Sequence, residues 1–168
     1  MKVLWAPWRM EYILSDTEGG ECIFCPGESR SQDEARLILH AGHLTMVMMN
    51  RFPYINGHLL VAPVRHVPGL ELLPPEEMLD LLATVSKSIE VLKKAVRAEG
   101  FNVGLNLGRV AGAGVEEHMH FHIVPRWNGD NNYMTVLGDV RVIPEHIDET
   151  YRRLLPHFKG LNTEYGGE

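Results

Sequence analysis

His118-Met119-His120-Phe121-His122-Ile123-Val124 is the stretch that decides how this chain is read. An extended strand repeats every two residues, so His118, His120 and His122 face one way and Met119, Phe121 and Ile123 the other. Neighbouring imidazoles on such a face stand about 6.5 Å apart. The apolar side belongs in a core. Three imidazoles are costly to bury without polar partners. Such a row can bind a metal, bind an anion through ring donors, or carry a nucleophile supported by neighbouring acid groups. The plain alternative is a solvated strand face.

Working outward, Arg36 to His40 and Leu44 to Met48 are short strand candidates separated by Gly42, and Asn50 to Gly57 reads as a turn. Leu59 to Val64 is an apolar strand that Pro63 should end or place at an edge. Pro74-Pro75-Glu76-Glu77 opens the clearest helix, in which Met78, Leu81, Leu82, Val85, Ile89, Leu92 and Val96 form a core-packing stripe. Gly100 is the expected stop. Phe101 to Leu107 is a strand, Gly108 to Gly114 a tight loop, and Met119 to Val124 a strand ended by Pro125. Asn128 to Asn132 reads as a loop, Val140 to Ile143 as a short strand, and Pro144 to Phe158 as a second helix with Ile147, Tyr151, Leu154 and Leu155 on one face. This order predicts an α+β fold, with a mostly antiparallel sheet of about five strands, one long helix and one short helix.

The 168 residues match one domain, with an aromatic arm over 1–14, where Trp5 and Trp8 should pack on the body or on a partner subunit, and an extension over 128–168. Sixteen basic against 22 acidic residues leave a net charge of −6, so no positive field draws in a nucleic acid polymer, although a phosphate pocket needs only a few local donors. Neither a membrane span nor a signal peptide is legible, and the cytoplasm is the simplest expected location. No G-x-G-x-x-G or Walker A pattern follows a strand, which weakens the usual nucleotide folds. Cys22-Ile-Phe-Cys25 lies in a polar, glycine-rich stretch, Asp16 to Glu34; the two cysteines are too few for a disulfide scaffold and read as half a metal site or a redox pair. His40, His43, His146 and His157 have no spacing that singles them out.

His118 to Val124 resembles the defining motif of the histidine triad (HIT) family. Asn56-Gly57-His58-Leu59-Leu60-Val61 resembles its glycine–histidine strand, Phe101 to Gly108 its asparagine-bearing strand, and Pro125-Arg126 follows the triad as in many members. The likeness runs over about residues 22 to 127. Leu4-Trp5-Ala6-Pro7-Trp8-Arg9-Met10, Phe101 to Gly108 and Pro125-Arg126-Trp127 resemble, more narrowly, the bacterial diadenosine tetraphosphate phosphorylase-like branch.

The resemblance implies a HIT-like fold and a two-step transfer. His120 would attack the α-phosphorus of a nucleotide to give a covalent nucleotidyl-histidine. His122 would bond a phosphate oxygen, His58 would bind phosphate or orient the nucleophile, and Asn106 would support the shell. It implies a zinc held by Cys22, Cys25, His66 and His118, structural because Cys₂His₂ leaves no open position, and most simply a homodimer. On chemical grounds the charged oxygens need donors, for which backbone amides from Gly112 to Gly114, Arg109 and Arg126 are further candidates. Phe52 and Trp127 are candidates for weak stacking on the base.

One segment departs from the pattern. Where many members carry a glycine–glutamine–serine or –threonine run, Ala113-Gly114-Val115-Glu116-Glu117 precedes His118. Leaving-group help is therefore unassigned, although Glu116 or Glu117 can in principle orient a histidine or move a proton. A polyphosphate, already a good leaving group, suits this loop better than a phosphoramidate. The expected function is nucleotidyl transfer from a dinucleoside polyphosphate to phosphate. The alternatives are hydrolysis of such compounds or of nucleoside phosphoramidates, and non-catalytic nucleotide binding.

Overall fold

The computed structural model describes residues 22–27, 29–130, 143 and 145–161. The arm over 1–14 and residues 140–142 of the short strand expected at Val140 to Ile143 lie outside the described residues. Among the described residues five strands form: β1 (Ile38–Ala41), β2 (Thr45–Met49), β3 (Leu59–Pro63), β4 (Gly100–Leu105) and β5 (Phe121–Arg126). They make one sheet in the order β1-β2-β3-β5-β4, with every neighbouring pair antiparallel. Among the described residues two α-helices, α1 (Pro75–Ala95) and α2 (Ile147–Phe158), complete the α+β architecture expected from the order of elements.

Every residue of β2 and β3 is buried, because both sheet faces are covered. On one face Val47, Met49, Leu59, Val61, Met119 and Ile123 join Leu81, Val85 and Leu92 of α1 and Leu154 and Phe158 of α2 in the main core. On the other, Ile38, Met46, Met48, Leu60 and Ala62 gather around Phe24 of the cysteine segment. The apolar side of the histidine stretch therefore faces the main core, and its histidine side faces the cysteines.

Local chemistry sets the ends of α1. Pro75 stands at its first positions, where a missing N–H costs nothing, Glu76 and Glu77 lie in the first turn, and Lys93 and Lys94 in the last, each sign suiting the helix dipole. The helix stops earlier than Gly100 suggests. It ends at Ala95, Arg97 takes the left-handed turn at φ 54°, and Gly100 is the first residue of β4. Leu82 is 50% exposed and stands outside the core stripe. The inner face of α1 instead buries Asp80, Thr84 and Ser88. Helix α2 begins at Ile147 rather than Pro144, capped by the side chain of His146.

Two strand boundaries also differ from expectation. The ordered strand begins at Phe121, so His118 and His120 lie just before it, held by the Met119 N–H to Val67 O bond of 2.8 Å. Pro125 lies within β5 and does not end it: Arg126 O accepts from Glu99 N–H, so the backbone of Pro125 faces the opposite side, where β3 pairing has stopped at Leu59. Pro63 does end β3, but that strand is internal, between β2 and β5.

Thr45 Oγ1 donates to the Asp80 carboxylate at 2.6 Å, with both residues at least nine-tenths buried. Thr45→Val keeps the shape and removes the donor, leaving a buried carboxylate short of a partner. We expect a loss of about 2–3 kcal/mol in urea unfolding. A loss under about 0.5 kcal/mol would show that Asp80 has other solvation.

Candidate active site

The turn between β2 and β3 carries Asn50, Tyr54 and His58. Gly57 takes φ +76°, which favours glycine, and delivers His58 fully buried at the start of β3. His58 Nδ1 accepts from the Tyr54 backbone N–H at 3.2 Å and lies 3.3 Å from the Asn50 side-chain amide. A backbone N–H can only donate, so the His58 proton is on Nε2. That nitrogen lies 3.0 Å from His122 Nδ1 and donates to it. His122 then keeps its own proton on Nε2. A chain of obligatory donors thus makes neutral His122 present an N–H.

His120 is set the other way. Its Nδ1 lies 2.9 Å from the His118 carbonyl, which can only accept, so Nδ1 carries the proton and Nε2 the lone pair. The His120 and His122 ring centroids are 5.0 Å apart. A lone pair thus stands beside a donor, the combination needed to attack a phosphorus while holding one of its oxygens.

Burial, and then repulsion from His122 and His120, lowers the His58 pKa to about 3. Burial, and then His120, lowers His122 to about 4. Burial also lowers His120, opposed by its bond to the His118 carbonyl. All three rings are neutral at pH 7. Unfolded histidine titrates near 6.5. As pH falls from about 6.5 towards 4, the unfolded chain takes up protons that His58 and His122 refuse, so stability is lost on acidification and flat above about pH 7 as far as these two groups act. Thermal midpoints should fall across that window, and His58→Gln should make the fall shallower. An equal slope in the two proteins would contradict the assignment.

Beside this pair lies a second cluster. Cys22 Sγ is 3.4 Å from His118 Nδ1, Cys25 Sγ is 3.3 Å from His66 Nδ1 and 3.8 Å from His118 Nδ1, and the four ligand atoms lie within 4.8 Å of one another. Tetrahedral zinc with ordinary bond lengths separates sulfur from nitrogen by about 3.6 Å, so the set has the right size. His118 Nε2 donates to Pro63 O at 2.8 Å, which leaves Nδ1 as the lone pair facing the thiols. Arg65 binds Glu77 of α1 through two nitrogens and anchors the chain beside His66. Arg36 donates to Ile23 O and Cys25 O at 2.8 and 2.7 Å and clasps the cysteine turn.

The other candidates are placed differently. Asn106 donates to Gly112 O at 3.4 Å, and the amides of Ala111, Gly112 and Ala113 bond back to Gly108 O or Arg109 O within the loop. The Gly112 amide is thus engaged inside the loop. Gly114, Glu116 and Glu117 are exposed, as is Arg109. Arg126 is tied to the Asp130 carboxylate at 2.5 and 2.8 Å and to Asn102 at 3.1 Å. Trp127 Nε1 donates to Val96 O, and Phe52 N–H is held by Asn50. Sequence reasoning missed Asn50, Tyr54 and Phe24. The Tyr54 ring stacks on His58 with centroids 4.9 Å apart, and the Phe24 ring on His120 at 4.4 Å. The position of Phe24 between the two cysteines was the one available signal.

The family model of the HIT domain matches residues 30–129. A curated AP-4-A phosphorylase of Mycobacterium tuberculosis is 42% identical over 159 residues, covering 90% of this chain and 81% of that one. The asymmetrical bis(5'-nucleosyl)-tetraphosphatase of Schizosaccharomyces pombe is 38% identical over 93 residues, 55% of this chain and 50% of that protein. Among solved structures, a Zn-bound histidine triad family protein of Mycobacterium smegmatis superposes with a TM-score of 0.60 at 26% identity, covering 74% of this chain and 85% of that one.

Proposed function

This chain belongs to the HIT domain family, and from that premise we propose that it moves a nucleotidyl group from a dinucleoside polyphosphate of the diadenosine tetraphosphate kind to inorganic phosphate. The observation that carries the reading is the opposed polarity of two adjacent rings, a lone pair on His120 Nε2 and a proton on His122 Nε2. His120 Nε2 attacks the α-phosphorus. The bond from that phosphorus to the bridging oxygen breaks, and ATP leaves with the bonding pair. His122 Nε2–H holds a non-bridging oxygen as charge develops, and His58 fixes the His122 tautomer. A phosphate oxygen then attacks the adenylyl-histidine, which returns His120 and releases ADP. Asn106 shapes the adjoining loop, and Arg126 braces the end of β5.

Phosphate as acceptor is supported by the likeness to the phosphorylase over nine-tenths of the chain. Water as acceptor is the second reading, supported by the shorter likeness to the tetraphosphatase. Incubation with diadenosine tetraphosphate, with and without inorganic phosphate, separates them. Phosphorolysis gives ADP plus ATP and requires phosphate. AMP plus ATP, formed regardless of phosphate, would overturn the first reading in favour of the second.

We read Cys22, Cys25, His66 and His118 as holding a structural zinc, supported by the size of the cluster and the His118 tautomer. Such an ion would pin the cysteine turn to the start of the histidine stretch and leave His118 outside the proton chemistry. We read the assembly as a homodimer, supported by the outer position of β4 and the exposure of Val103, Leu107 and Val110. A single domain is supported by the packing of α2 on the main core, outside the region of the family match. Among the described residues no helix is long and apolar enough to cross a membrane. The cytoplasm is proposed as the compartment because its reducing conditions suit two thiol ligands.

A further inference from the structure

Phe24 has no place in the steps above, yet it is 1% exposed and its ring lies against His120, with centroids 4.4 Å apart and planes 24° from parallel. It also touches His118, at 5.5 Å and 53°. The Nδ1–H bond to the His118 carbonyl fixes one edge of the His120 ring. A single hydrogen bond leaves the ring free to rock about the N–H···O axis, and that rocking moves Nε2 through an arc. A flat ring on one face blocks the motion, because any tilt in that direction drives atoms into contact. Phe24 is itself held firmly. Cys25 N–H bonds Cys22 O at 3.0 Å across it, Arg36 clasps the carbonyls of its neighbours Ile23 and Cys25, and Ile38, Met46, Met48, Leu60 and Ala62 surround its side chain.

We propose that Phe24 is the positioning residue of the nucleophile, the fixed plane against which His120 aims Nε2. The proposal rests on the reading of His120 as the attacking group. It also gives the cysteine turn a second task beside anchoring: whatever holds Cys22 and Cys25 in place holds the plane between them. The stacking ring contributes direction rather than substrate affinity, so its loss acts on the chemical step. Misplacing a reacting group by about 1 Å costs on the order of a hundredfold in rate.

The test compares Phe24→Leu, which keeps an apolar side chain, with Phe24→Tyr, which keeps the ring. Turnover is measured with diadenosine tetraphosphate and phosphate, together with the single-turnover rate of nucleotidyl adduct formation. Phe24→Leu should lower kcat and the adduct rate by about 10- to 100-fold with KM changed less than about threefold. Phe24→Tyr should restore kcat to within about threefold of the parent. In NMR spectra the imidazole C–H signals of His120, identified by their absence in His120→Ala, should be shifted upfield by the Phe24 ring current and return in Phe24→Leu. Unchanged kcat in folded Phe24→Leu would overturn the proposal. So would a loss that merely tracks the folded fraction, a loss equal in the two variants, or the absence of the ring-current shift. If His120→Ala keeps full turnover, the nucleophile reading itself fails, a result distinguishable from all of these.

Discussion

Replacing His120 with alanine should lower turnover of diadenosine tetraphosphate by about four orders of magnitude or more and abolish the acid-labile nucleotidyl adduct, while nucleotide binding stays within about tenfold of the parent. The size of the effect follows from what is removed. Among the described residues His120 Nε2 has no hydrogen-bond partner, and Nδ1 is committed to the His118 carbonyl, so the lone pair of Nε2 has no structural task. No other imidazole can replace it. His122 points a proton where a lone pair is needed, His58 is locked between Tyr54 and His122, and His118 turns its lone pair to the thiols. Binding survives because the His122 donor and the turn behind it do not depend on the His120 ring. Rapid-mix acid quench with radiolabelled substrate reads the adduct, and steady-state assays read the rate. A His120→Ala protein that turns over at the parent rate would end both the covalent route and the enzyme reading built on it, and would leave non-catalytic nucleotide binding as the account of the site.

The second large effect concerns the Cys22, Cys25, His66 and His118 cluster. Elemental analysis of purified protein should find about one zinc per chain, and Cys25→Ser should bring that well below one and lower the thermal midpoint by about 10 °C or more. Cys25 faces both histidines of the set, at 3.3 and 3.8 Å, so its loss opens the cluster at its centre. The cluster joins segments 41 and 93 residues apart in the chain, and so ties the cysteine turn to the start of the histidine stretch. Without the ion two half-buried thiols, the buried His118 ring and the exposed His66 ring face one another with little to gain. A folded protein with metal content near zero and an unchanged midpoint in Cys25→Ser would remove zinc from the account.

Much of the fold was legible because the signals are local. The alternation from His118 to Val124 assigned Met119 and Ile123 to the core and the histidines to the other face, as the structure has it. The three- and four-residue steps of α1 and its Pro75 start were equally direct. The errors fell where tertiary packing overrides a local signal. Gly100 looked like a helix stop, but β4 needed it for pairing with Arg126. Pro125 looked like a strand end, but β3 stops before it, so the missing N–H is not needed. Leu82 fits the apolar period, yet the sheet beneath that part of α1 presents Thr45, and Asp80 takes the inner position.

For the site, the amino-acid order alone determined which residue types share a face, because a strand's period is a property of two bonds per residue. It also brought the cysteine pair and the glycine before His58 to attention. Only the tertiary structure decided which nitrogen of His118 and of His122 carries its proton, since the groups that decide it, the Pro63 carbonyl 55 residues from His118 and the His58 ring 64 residues from His122, arrive through folding. It likewise placed Phe24 on His120 and turned Arg126 to Asp130. Periodicity sets direction along a strand; the proton positions of His118 and His122 depend on contacts made between segments distant in the chain.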